Sequence, residues 1–236
     1  MRYRTIPLDY SYKEDFKYLH KNPYHHKLQN YSDFVLRDHE GENYQGRWKK
    51  DFFKNYNPLI LEIGCGYGHF LKDYALLNPH ENIIGMDYRF KRSFELAKRL
   101  STIESNNFGL LRAKGERIQF LFEKKELDKI FYFFADPWPK TRHKKKRLFN
   151  SLFLDHAHSI LADDGKIFIK TDHDDLALHF KKVIDAHPLF DLVFETKNLY
   201  TEYPEHYLAQ FQTKFEKIFL EKKIPIKAFV LQKKEN

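Results

Sequence analysis

From Pro58 onward, short apolar runs alternate with amphipathic stretches. Leu59–Ile63 is aliphatic except for Glu62, too short for a stable helix, and followed by glycines, which predicts a buried strand. A glycine turn then leads into a helix over 68–77. The same reading predicts strands at Asn82–Met86, 108–111, 130–134, 166–170, Phe190–Thr196 and 228–232. Helices are expected over 90–103, near 116–124, and over 149–161, 174–186 and 213–222. In the helix over 90–103, Phe94, Leu96, Ala97 and Leu100 form the apolar stripe. Asp163-Asp164-Gly165 reads as the stop of helix 149–161. Alternation of this kind predicts an α/β fold, a largely parallel sheet with helices on both faces.

Residues 1–57 carry no sustained period and are polar, aromatic and basic. Asn22-Pro23 and residues 38–41 read as turns, and 47–56 as a short helical piece. The organisation expected is an N-terminal extension over 1–57, ordered or in part disordered, before a domain over 58–236. With 236 residues the chain is long enough to bury a real core. Cys65 is the single cysteine, which excludes an internal disulfide framework and suits a reducing compartment. No run has the length of a signal peptide or of the roughly 20 apolar residues of a membrane span. The expectation is a cytoplasmic chain with no membrane partner.

The formal charge of +8 points weakly toward nucleic acid by itself; clustering strengthens it. Lys140, Arg142, Lys144, Lys145, Lys146 and Arg147 crowd into eight positions just after a predicted core strand. Between strand and cations stand Asp136, Pro137, Trp138 and Pro139, whose prolines force a rigid, non-helical exit. In open α/β sheets ligands bind at the carboxyl ends of strands. There, a carboxylate can accept the N–H groups of a purine. Trp138 can stack on a base or pack beneath the loop, and the cations suit phosphates.

The second constellation is Glu62-Ile63-Gly64-Cys65-Gly66-Tyr67-Gly68, between the first strand and its helix. Glycines there allow a tight turn and close approach to a ligand. A dinucleotide fingerprint would place glycine or alanine at position 69, where His69 stands, so a mononucleoside cofactor is favoured over NAD. Asp87 closes the second strand, where an acid can bond ribose hydroxyls. Glu62, a carboxylate just before the turn, is electrostatically suited to a cationic partner, and Cys65 reads as a small packing residue. Asp172, Asp174 and Asp175 near His173 suit a helix start or a substrate contact better than a metal. Thr213 and Glu216 have the spacing of a capping box. His25 and His26 fit no metal spacing, and no metal is expected.

Taken together, residues 58–71, 83–89, 131–150, 166–172 and 213–216 resemble the bacterial tRNA (guanine-N7-)-methyltransferase family, as does Asp33-Phe34-Val35-Leu36-Arg37. The resemblance implies a Rossmann-like, seven-stranded methyltransferase sheet, mostly parallel with an antiparallel C-terminal strand. It implies S-adenosylmethionine as cofactor and tRNA as partner, with transfer to N7 of a variable-loop guanosine by a monomer or homodimer. By motif, Glu62, Gly64, Gly66, Gly68 and Asp87 are expected to hold the cofactor, and Asp136 to be the catalytic acid. Lys140, Arg142, Lys144, Asp172, Thr213 and Glu216 are expected on the substrate side. Lys114 stands where the family carries an acid for the adenine, and Glu116, or else a backbone N–H, is expected to substitute. Other readings are an exocyclic-amine methyltransferase, from the likeness of Asp136-Pro137-Trp138 to its motif, and a non-catalytic RNA-binding subunit.

Overall fold

The computed structural model describes residues 22–37 and 39–234; residues 1–21 of the expected extension and Asp38 of the expected turn lie outside the described residues. Among the described residues, eight strands form one sheet: β1 (Val35–Arg37), β2 (Leu59–Ile63), β3 (Asn82–Met86), β4 (Phe108–Arg112), β5 (Leu127–Phe133), β6 (Leu161–Thr171), β7 (Phe190–Thr196) and β8 (Lys227–Lys233). Their order is β1-β4-β3-β2-β5-β6-β8-β7. Pairings from β1 to β6 are parallel, while β8 runs antiparallel between β6 and β7. All seven expected strands are present. The eighth, β1, pairs with Leu110–Arg112; at three residues it is too short for periodicity to reveal.

The chain runs outward from β2 through β3 to β4, then returns to place β5 on the other flank of β2. This reversal opens a crevice beyond the carboxyl ends of β2 and β5. Alternation along each strand decides what enters it. In β2, Leu59, Leu61 and Ile63 join one core with Phe149, Phe153 and Phe180. Ile60 joins the other, with Phe70, Leu71 and Leu96. The period of two turns Glu62 to the Ile60 face, under the glycine turn. In β6 it likewise sets Lys170 on the side of Phe168.

Three local expectations change. Helix Phe90–Leu100 ends before 103, and the helix near 116–124 is a 3₁₀ turn, Gly115–Arg117, followed by Ile118–Leu121. Within the basic run, Thr141–Lys146 winds as a 3₁₀ turn. Asp163-Asp164-Gly165 lies inside β6, because Leu161 enters the sheet directly after helix Ser151–Ile160. The β5 pairing then jumps from Leu161 to Lys166, leaving the acids outside the ladder.

The described part of the extension packs into the same body. Trp48 is buried in the core of Leu59 and Leu61, and its indole N–H donates to the Leu121 carbonyl at 2.7 Å. Leu28 is buried in the opposite core. Arg117 and Glu42, both buried, pair at 2.6 Å. Among the described residues no helix is long and apolar enough to cross a membrane.

Candidate active site

Three glycines after β2 adopt positive φ: Gly64 at 82°, Gly66 at 56° and Gly68 at 66°. The Gly64 and Cys65 N–H groups donate to the Met86 carbonyl at 2.8 and 3.1 Å, fastening the turn to the end of β3. A Cβ at Gly64 would meet nothing within 4 Å, and at Gly66 its nearest neighbour would be the Gly64 carbonyl at 3.8 Å. These two positions open onto the crevice, where a ligand can lie against bare backbone. Gly68 differs, since a Cβ there would fall 2.1 Å from Leu96. It borders the crevice, but its lack of a side chain serves helix packing.

Two cavities share this floor. One, of about 530 Å³, is bordered by Asp87, Lys114, Glu116 and Trp138. The other, of about 240 Å³, is bordered by Glu62, Asp172, Thr213 and Phe215. Gly64 and Asp136 border both, so Asp136 stands on the ridge between them. Asp87 is buried and accepts from the N–H groups of Gly66 (3.2 Å) and Arg89 (2.8 Å). Burial nonetheless raises its pKa.

Glu62 is the most telling group. It is 4% exposed, and its Oε2 has no hydrogen-bond partner. Burial, aided by the nearby Asp87 charge, pushes its carboxyl up to about 8. A buried acceptor without a donor is costly, by about 1–3 kcal/mol, unless a ligand supplies one. The buried Glu62 carboxyl with its one unpartnered oxygen, the two open glycines and Asp87 fit S-adenosylmethionine: Glu62 could hold its ammonium and sulfonium side and Asp87 its ribose hydroxyls.

Beyond β5 the backbone turns sharply. Phe134 and Trp138 both take left-handed φ, at 50° and 44°, on either side of Ala135, Asp136 and Pro137. Such residues are rare and concentrate where a loop must aim a side chain. Asp136 is half exposed and meets Arg89 at 3.1 Å across the crevice. Arg147, although cationic, is buried; it donates to the Pro137 carbonyl at 3.0 Å and to Asp175. Lys144 also binds Asp175, at 2.8 Å. These bonds hold the Asp175 carboxyl down at about 2. The basic run is therefore divided. Arg147 and Lys144 brace the loop, Lys145 and Lys146 border the larger cavity with Lys146 4.7 Å above the Trp138 ring, and Lys140 and Arg142 face solvent. Trp138 borders the larger cavity only.

Asp172 directly follows β6 and borders the smaller cavity with Asp136. Asp174 pairs with Lys227 at 2.6 Å. Among the described residues no group of three or more histidines, cysteines and acids could hold a metal ion. Thr213 and Glu216 do form a capping box on helix Lys214–Glu221. Glu216, however, is completely buried; its oxygens accept from Lys170 Nζ (2.7 Å), the Tyr200 hydroxyl (2.8 Å) and the Thr213 N–H (3.0 Å). Lys170 also donates to the carbonyls of Leu208 and Phe211. Burial lowers the Lys170 pKa, and Glu216 opposes that shift. Glu216 thus clamps the 199–216 segment to β6, while Thr213 and Phe215 reach the cavity. Sequence reasoning passed over Phe215, Arg89 and Arg92; all three border the site, and only their nearness to the acids and the capping box marked them.

Lys114 and Glu116 both border the larger cavity, in the turn after β4. A family model described as "Putative methyltransferase" matches residues 56–229. A tRNA (guanine-N(7)-)-methyltransferase of Malacoplasma penetrans is 36% identical over 74% of this chain and 79% of its own. One of Clostridium tetani is 32% identical over 74% and 82%. Among solved structures, a 16S rRNA methyltransferase superposes with a TM-score of 0.58 at 10% identity, over 80% of this chain and 94% of its own. An antibiotic-related methyltransferase gives 0.55 at 18%, over 78% and 90%. These structural likenesses show the Rossmann-like fold.

Proposed function

The chain belongs to the tRNA (guanine-N7-)-methyltransferase family, and from that premise we propose that it methylates N7 of a variable-loop guanosine in tRNA, in the cytoplasm. One observation carries the reading: a single small cavity joins the buried Glu62 carboxyl, whose Oε2 has no hydrogen-bond partner, to Asp136 and Asp172. When bound, S-adenosylmethionine supplies an electrophilic methyl group. Glu62 would hold the ammonium and sulfonium side, Asp87 would take the ribose hydroxyls, and Glu116, beside Lys114, would take the adenine.

Guanine N7 carries a lone pair at neutral pH, so the base needs no deprotonation before it is alkylated. What the protein must provide is orientation and electrostatics. Asp136 and Asp172 accept N–H groups of the guanine and fix its plane. Methylation leaves the purine cationic, so the same carboxylates stabilise the transition state more than the neutral base. Arg89 neutralises Asp136 in the tRNA-free protein, and Lys140 and Arg142 take phosphates.

The test is incubation of the purified protein with labelled cofactor and unmodified tRNA, followed by identification of the methylated nucleoside. N7-methylguanosine is expected, whereas an exocyclic-amine product overturns the assignment. Asp136→Ala is expected to slow single-turnover methylation of bound tRNA by about 10²–10³-fold. An unchanged rate would remove Asp136 from the mechanism.

A further inference from the structure

We propose that Phe215 is the platform on which the target guanine stacks, an inference that rests on the tRNA-methylating role above. Phe215 is 49% exposed, yet it borders the same cavity as Asp136 and Asp172. Its direction is imposed from behind. Glu216, the next residue, is drawn inward by Lys170 and Tyr200, and Thr213 caps the helix. One residue earlier on the helix is a rotation of about 100°, which turns Phe215 away from that buried contact and toward the crevice.

The ring is also supported. Its centroid lies 6.4 Å from that of Phe219 at an interplanar angle of 23°, and Phe219 lies 5.8 Å from Phe134 at the end of β5. Three rings thus run from the mouth of the cavity to the turn that carries Asp136. Leu152 and Leu178 are more exposed than Phe215 but border neither cavity. Of the other exposed or half-buried rings, Tyr67 lies 5.9 Å beneath the Arg92 guanidinium, and Trp138 belongs to the other cavity under Lys146.

The chemistry of the reaction requires such a surface. A guanine presented to a deep site must leave its own stack, and enzymes that extrude bases replace that stacking with aromatic or apolar faces. In this cavity the carboxylates can take only the polar edge of the base. A flat apolar ring opposite its face supplies the missing contact without demanding sequence.

Phe215→Ala, Phe215→Leu and Phe215→Tyr in the full chain test this. Stacking losses of this kind predict a fall of about 10- to 100-fold in kcat/KM for tRNA with alanine, accompanied by weaker tRNA binding. Leucine keeps the apolar bulk without the flat face and is expected to behave like alanine; tyrosine is expected to restore activity to within a few-fold. The thermal midpoint and the cofactor Kd from calorimetry are expected to stay at wild-type values. The proposal is overturned if leucine works as well as phenylalanine, if alanine changes nothing, or if the loss comes with weaker cofactor binding or lower stability. Failure of the wild type to produce N7-methylguanosine would instead overturn the functional assignment.

Discussion

Glu62 keeps its proton in the cofactor-free protein at neutral pH, because its folded pKa of about 8 lies far above the ordinary value of 4.5. Between those two values the folded state binds more protons than the unfolded one, so Glu62 makes stability fall as pH rises through that window. Glu62→Gln is therefore expected to raise the unfolding free energy of the cofactor-free protein at pH 8 by about 1–3 kcal/mol. It should also flatten the pH dependence of the thermal midpoint and weaken cofactor binding at least tenfold. In the wild type, a cationic ligand favours the ionised carboxylate, so binding should release a proton. Calorimetry in buffers of different ionisation enthalpy reads that release directly. This residue was legible from the sequence: a lone acid in an aliphatic strand before a glycine turn is too costly to bury unless something polar meets it there. Phe215 was not, since its exposure depends on Lys170, which holds Glu216 from 46 residues away. Nothing local encodes that partnership.

At the level of elements, the segment after β5 and the segment before helix Lys214–Glu221 form facing walls, and each is braced by an internal charge. The first is held by Arg147 on Pro137 and Asp175, the second by Lys170 on Glu216. Breaking a buried ion pair by removing one partner costs about 3–5 kcal/mol, because the other charge is left uncompensated. Lys170→Met is expected to lower stability by this amount in urea unfolding, and Lys170→Met with Glu216→Gln by clearly less. Equal losses in the two would deny the pairing its role. The position of the basic run at a strand end could be read from the prolines and the preceding apolar residues. Its internal division could not, because Lys144 and Arg147 are chemically indistinguishable from their neighbours until Asp175 is brought beside them from helix Asp174–Asp185, beyond β6.

Over the whole molecule the charge of +8 overstates what tRNA can use, since part of the basic run is spent within the fold. Lys140→Glu and Arg142→Glu are expected to weaken tRNA binding and to reduce the salt slope of log K by about 1 each. Arg147→Ala should lower the thermal midpoint instead, a contrast that filter binding and calorimetry can measure. The parallel order of β2 to β6 followed from the alternation of strands and helices, but β1 did not, having only three residues with which to announce itself. That small strand has a colloidal consequence. It occupies the hydrogen-bonding edge of β4, and a bare sheet edge is a template for pairing with other chains. A shortened chain beginning at Pro58, where the apolar rhythm starts, would expose that edge along with the core surface that Trp48 covers. It is expected to aggregate at concentrations where the full chain stays monodisperse in light scattering. A few residues outside the rhythm would then set how long the enzyme can persist undamaged in a crowded solution.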